Sequence, residues 1–128
     1  MTNGIVLMAF GDSHYGRMAY NLALTIRLKT DIPIHLVFEP SAITHLTEEH
    51  MRVFSSFYKL DDPSYFTVCG KKNYAYPKLF LYDLSPFDNT LFLDVDTAWC
   101  GNGSVENIFE EYSKQDFIIK NRNYYDFK

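Results

Sequence analysis

Asp94 and Asp96 stand one residue apart in "TLFLDVDTAW", at the polar end of an apolar run. Residues i and i+2 of a strand share a face, so the carboxylates point together only if strand geometry persists through Val95. Two buried, unpaired carboxylates carry a large desolvation cost, which predicts that the strand frays at Asp94. A divalent cation removes both that cost and the mutual repulsion. Hard oxygen donors suit Mg²⁺ or Mn²⁺, and the metal keeps open positions for the phosphate oxygens of a substrate. As a bare pattern, acid-x-acid is unspecific, because Asp is common wherever strands become loops. Its setting is more informative, since open α/β sheets bind ligands in the crevice outside the carboxyl ends of their strands.

The first loop, "FGDSHY", offers a second group of candidates. Asp12 and Ser13 offer hydrogen-bonding oxygens, and Tyr15 can stack on a planar ring. His14 reads as an incidental loop histidine. Lys78, in "YPKLF", is either a solvated helix lysine or a charge partner for an anion.

These residues need a frame. "GIVLMAF", from Gly4 to Phe10, is apolar on both alternating faces and predicts a central strand. Met18, Ala19, Leu22, Ala23 and Ile26 recur at helical spacing and predict a helix over 16–29, with Leu22 and Ile26 facing the sheet. "IHLVFE" follows as a second strand. The stretch between Pro40 and Asp62 predicts a helix or two short helices, with Met51, Phe54, Phe57 and Tyr58 on a helical repeat. "SYFTVCG" reads as a short strand, a helix begins near Pro77, and the strand "TLFLDV" precedes a short helix over 104–112. A final strand is expected over Phe117 to Ile119. The order is that of a single-domain, three-layer α/β/α sandwich with a mainly parallel sheet, spanning 1–128.

Composition narrows the function. The chain has 128 residues, 47% of them hydrophobic, with 12 basic against 16 acidic side chains for a formal charge of -4. Nucleic-acid binding is disfavoured, because it needs a concentrated positive surface. No run is long and apolar enough to span a membrane, and no basic leader precedes the first apolar run, so a cytoplasmic location is expected. Cys69 and Cys100 have no metal-ligand spacing and are expected as free thiols. Ten Tyr and eleven Phe suit a thick core or an exposed stacking surface.

Three ordered segments, "IVLMAFGDSHYGRMAYNLALTIR", "IPIHLVF" and "YPKLFLYDLSPFDNTLFLDVDTAW", carry a family likeness. The chain resembles the N-terminal, nucleotide-sugar-binding half of GT-A-fold glycosyltransferases, the group that includes glycogenin and bacterial lipopolysaccharide galactosyl- and glucosyltransferases. The resemblance implies a GT-A type of sandwich, truncated at its C-terminus. It also implies a donor nucleotide-diphosphate sugar, most simply a UDP-sugar, held by Mn²⁺ or Mg²⁺ on Asp94 and Asp96. Asp94 would also reach the ribose or donor sugar. Tyr15 would cover the uracil and Lys78 would approach the donor sugar or phosphate. Donor contacts are thereby expected at Ala9, Phe10, Asp12, Tyr15, Lys78, Asp94, Val95 and Asp96. The family supplies a further His ligand late in a longer chain, where His35, His45 and His50 have no match.

The implied activity is transfer of a hexosyl group to an acceptor whose nature, whether glycan, lipid-linked glycan or protein, is left open, as are homo-oligomerisation and a retaining or inverting course. No catalytic residue is assigned; Glu110, Glu111 and Asp116 read as flanking acids. Two other readings stand beside it. A non-catalytic α/β binding or assembly module would keep the sheet and use its Tyr- and Phe-rich surface. A haloacid-dehalogenase-like phosphatase would use Asp94 as nucleophile and Asp96 as acid/base, but Ala98 departs from that motif and too little chain follows for its later lysine and acidic loop.

Overall fold

A computed structural model describes residues 2–100 and 103–118. Among these residues the centre is a four-stranded, all-parallel sheet in the order β3 (Ser56–Lys59), β2 (Ile34–Phe38), β1 (Asn3–Ala9), β6 (Asn89–Phe92). Strand β1 (Asn3–Ala9) is buried from Gly4 onward, and β2 (Ile34–Phe38) is buried throughout. Their alternate side chains feed two separate apolar layers. Ile5, Leu7, Ala9, Ile34, Leu36 and Phe38 enter one layer, while Val6, Met8, Phe10 and Val37 enter the other. This explains why both strands lack a polar face.

The helix α1 (Ser13–Arg27) covers the first layer with Ala19, Leu22, Ala23 and Ile26, so Leu22 and Ile26 do face the sheet. Burial of the two large side chains is worth roughly 3 to 6 kcal/mol together. Met18 departs from the expected buried stripe and is only partly buried. The short helix α4 (Val105–Glu111) joins this face through Val105 and Phe109. On the opposite face, a 3₁₀ turn over Tyr76–Phe80 runs into α3 (Leu81–Leu84), whose Leu81 and Leu84 pack on the second layer. The chain leaves β1 in one direction to reach β2 and β3, then crosses to β6 (Asn89–Phe92) on the other side of β1. Crossovers of one hand running in opposite directions must cover opposite faces, as these do.

Three expectations need correction. The stretch from Pro40 to Asp62 is not wholly helical. A 3₁₀ turn (Pro40–Ile43) and the single helical turn α2 (Glu48–Met51) are followed by strand β3 (Ser56–Lys59), paired in parallel with β2. Phe57 and Tyr58 lie exposed on that edge strand, while Phe54 and Leu60 on either side are buried and pin it. A run this short satisfies helical and extended spacing equally, and the open edge of β2 decides in favour of the strand. The "SYFTVCG" segment does hold a short strand, but only over β4 (Thr67–Val68), one arm of a small antiparallel hairpin with β5 (Lys71–Lys72), and a 3₁₀ turn (Pro63–Tyr65) precedes it. Phe117 and Ile118 are exposed and not in a strand, with no sheet edge pairing them. Ile119, the last residue of that expected strand, lies outside the described residues.

Candidate functional site

Strand β6 ends at Phe92, three residues short of the end of the expected strand at Val95 and two before the expected fraying point at Asp94. Leu93 still donates to the Val6 carbonyl, and then the chain turns. Thr97 closes that turn, donating to the Asp94 carbonyl from its backbone N–H at 3.2 Å and from its hydroxyl at 2.6 Å. Beyond the turn the Trp99 N–H donates to Thr25 Oγ1 at 2.9 Å, which ties the segment to α1. Val95 packs against the apolar layer under α1, whereas the Asp94 and Asp96 side chains are exposed. The carboxylates therefore escape the desolvation cost of a buried pair.

Both carboxylates border an open cleft of about 450 Å³. Its floor is made by Met8, Phe10 and Phe92, which share one face of β1 and β6. One wall is the first turn and a half of α1, with His14, Tyr15 and Met18; the other is the segment bearing Tyr74, Ala75 and Lys78. The cleft sits at the carboxyl ends of β1 and β6, which are neighbours in the sheet although far apart in sequence. Crevices outside the carboxyl ends of strands are where open α/β sheets bind ligands.

Of the expected donor-contact residues, Phe10, Tyr15, Lys78, Asp94, Val95 and Asp96 line this cleft. Ala9 does not; it is fully buried under α1. Asp12 has a local task as the N-cap of α1, where its Oδ1 accepts the His14 N–H at 2.9 Å. An Asp at this position satisfies one of the orphan donors of the first helical turn and complements the helix dipole. The sequence alone gave no place at the binding site to His14, Met8, Met18, Tyr74, Ala75 or Phe92. Met8 and Phe92 could have been found from β-strand alternation, which puts them on the face of Phe10, but no sequence signal brings Tyr74 across to Tyr15.

Lys78 Nζ lies 2.7 Å from Asp94 Oδ1 and 5.7 Å from the centre of the Phe92 ring. Buried Pro77 fixes the start of this 3₁₀ turn and so sets where the lysine emerges. The pair is open to water, so it contributes no more than about 1 kcal/mol to stability. Its larger consequence is electrostatic: the ammonium offsets one of the cleft's two negative charges. Among the described residues Asp96 is in no ion pair, and no group of three or more His, Cys, Asp or Glu side chains is gathered for a metal ion.

A comparison with protein-family models finds no match, and one with curated proteins finds none either. Among the described residues, no helix is long and apolar enough to cross a membrane. Cys69 and Cys100 are both free and exposed.

Proposed function

We propose that this chain binds a nucleoside-diphosphate sugar through a divalent cation, in the manner of the GT-A glycosyltransferases it resembles, and serves hexosyl transfer to an acceptor. The observation that carries the reading is the meeting of Tyr15, Lys78, Asp94 and Asp96, from three separate segments of the sequence, in one cleft at the carboxyl ends of β1 and β6. An aromatic ring, a cation and a carboxylate pair are the groups that a base, a diphosphate and a metal ion respectively require.

The donor set fits such a metal. Mg²⁺-type ions are commonly held by one or two carboxylates, with water and substrate phosphates completing the shell, so Asp94 and Asp96 suffice without a protein cage. Bound there, the cation would act as a Lewis acid on the diphosphate leaving group. The chain's own part is to hold the base against Tyr15 and to bring the Lys78 ammonium to the phosphates. Its sheet floor of Met8, Phe10 and Phe92 keeps water from one side of the ligand.

Calorimetric titration of UDP, with Mn²⁺ and then with chelator, tests the reading. Binding should depend strongly on the metal, and Asp96→Asn should lose most of that dependence while keeping the wild-type melting temperature. Metal-indifferent UDP binding by the wild type, or an unaltered metal response in the variant, would refute the metal assignment. Failure to bind UDP at all would favour the non-catalytic module.

A further inference from the structure

Opposite Tyr15, a second tyrosine borders the same cleft on the segment that leads from the β4–β5 hairpin to Lys78. Gly11 lies between the two rings. A Cβ added to it would stand 3.5 Å from Cδ2 and Cε2 of Tyr15 and 3.5 Å from Cε2 of Tyr74. The two tyrosines thus converge on the end of β1 from opposite walls, and each is 41% exposed, with ring surface available to a ligand. Gly11 has φ +94, so a side chain there would be both strained and directed between the rings.

Tyr74 is also held in place. Its ring meets Phe66 edge-on at 5.9 Å, and Phe66 in turn meets the buried Phe10 at 5.0 Å. Lys72 Nζ sits 4.8 Å from the centre of the Tyr74 ring and 3.3 Å from Glu39 Oε2. The other oxygen of Glu39 accepts the Gly11 N–H at 2.9 Å. Contact with Tyr74, ahead of that with Glu39, raises the Lys72 pKa, so the ammonium stays charged. A chain of contacts therefore joins the glycine between the rings, through Glu39 and Lys72, to one of those rings. A fixed aromatic surface contributes more to binding than a mobile one, because its ordering cost is met on folding.

We propose that Tyr74 is a second aromatic wall for the nucleoside base, opposite Tyr15, and that the Lys72 and Glu39 pair positions it. The inference rests on the nucleotide reading of the cleft and assigns a base contact to a residue that the resemblance does not mark. Lys78 lies four positions beyond Tyr74, so one segment supplies an aromatic surface for the base and a cation for the diphosphate.

Uridine and UDP, each titrated calorimetrically in the presence of Mn²⁺, separate this inference from the metal assignment, since uridine has no phosphate. Tyr74→Ala should weaken both ligands alike by about 5- to 150-fold, the range for loss of one base-aromatic stack. Tyr74→Phe should retain wild-type affinity, and Lys72→Met should weaken both ligands by less than Tyr74→Ala does. Tyr82→Ala, at a ring pointing into solvent, should change nothing. Asp96→Asn should affect UDP and spare uridine. Circular dichroism of each variant separates loss of binding from loss of fold. Unchanged uridine affinity in Tyr74→Ala, with UDP still metal-dependent through Asp96, would overturn the second wall alone. Weakened uridine binding together with metal-indifferent UDP binding would uphold the wall and overturn the metal site. A wild type that binds neither ligand would overturn both.

Discussion

Gly16 gives the sharpest test of how α1 is seated. A Cβ built on it would lie 1.9 Å from the Ala42 carbonyl oxygen, 2.9 Å from the Ala42 carbonyl carbon and 3.3 Å from Ile43 Cα. All three are backbone atoms of the 3₁₀ turn after β2, so no side chain can swing away. Ordinary contact begins at 3.4 Å, and 3.4 − 1.9 gives a separation of 1.5 Å that the helix or the turn must supply. Gly16→Ala gains up to about 1 kcal/mol in helix propensity. Overpacking of a close backbone contact costs about 1 to 3 kcal/mol, and the rigid neighbour puts this case at the upper end. The net expectation is a loss of about 1 to 2 kcal/mol and a fall in Tm of ~3 to 10 °C. Gly103→Ala, where an added Cβ meets nothing within 4 Å, is the control and should leave Tm nearly unchanged. Differential scanning calorimetry of the three proteins checks it. A Gly16→Ala variant as stable as the wild type, or more so, would refute the close approach of α1 to that turn, and with it the placement of the cleft wall bearing Tyr15.

Two further outcomes follow from local structure. The β4–β5 hairpin turns on Cys69 at φ 51 and Gly70 at φ 75, a conformation that favours Asn-Gly, so Cys69→Asn should raise stability by about 0.5 to 1 kcal/mol in urea unfolding; a loss would contradict the turn geometry. Burial lowers the pKa of His35, which is held against Ser56 and Phe87. As pH falls below its ordinary value of about 6.5, the unfolded chain takes up the proton first, so His35's contribution, complete above that value, declines as pH drops toward the folded pKa. The urea midpoint should therefore fall between about pH 7.5 and 5.5, and His35→Gln should flatten that slope; an equally steep slope in the variant would remove His35 as its cause.

Burial pattern was the most legible part of the fold. Uninterrupted apolar residues in β1 and β2 mean a sheet covered on both faces whatever lies around them, and the spacing from Ala19 to Ile26 has only one helical face to bury. Such signals are local, since each strand or helix carries its own periodicity. The carboxylate turn was legible in part: the desolvation cost of two carboxylates predicts fraying at Asp94, whereas the strand "TLFLDV" was expected to run further than β6, which ends at Phe92.

Only tertiary structure decided the rest. Strand β3 exists because β2 has an open edge, and its exposed Phe57 and Tyr58 give no sign of this in sequence. Phe117 and Ile118 show the converse, apolar residues that meet no edge and form no strand. Asp12, read as a base contact, caps α1, because the helix begins three residues earlier than its apolar stripe implied. The sequence by itself determined the α/β class, the two central strands and the presence of a polar turn at Asp94 and Asp96. The strand order that makes β1 and β6 neighbours, the cleft between them and the facing of Tyr74 on Tyr15 came from long-range pairing. Periodicity records which side of an element is buried, whereas its neighbour is chosen by the hydrogen-bonding edges and apolar faces the whole chain leaves to be covered.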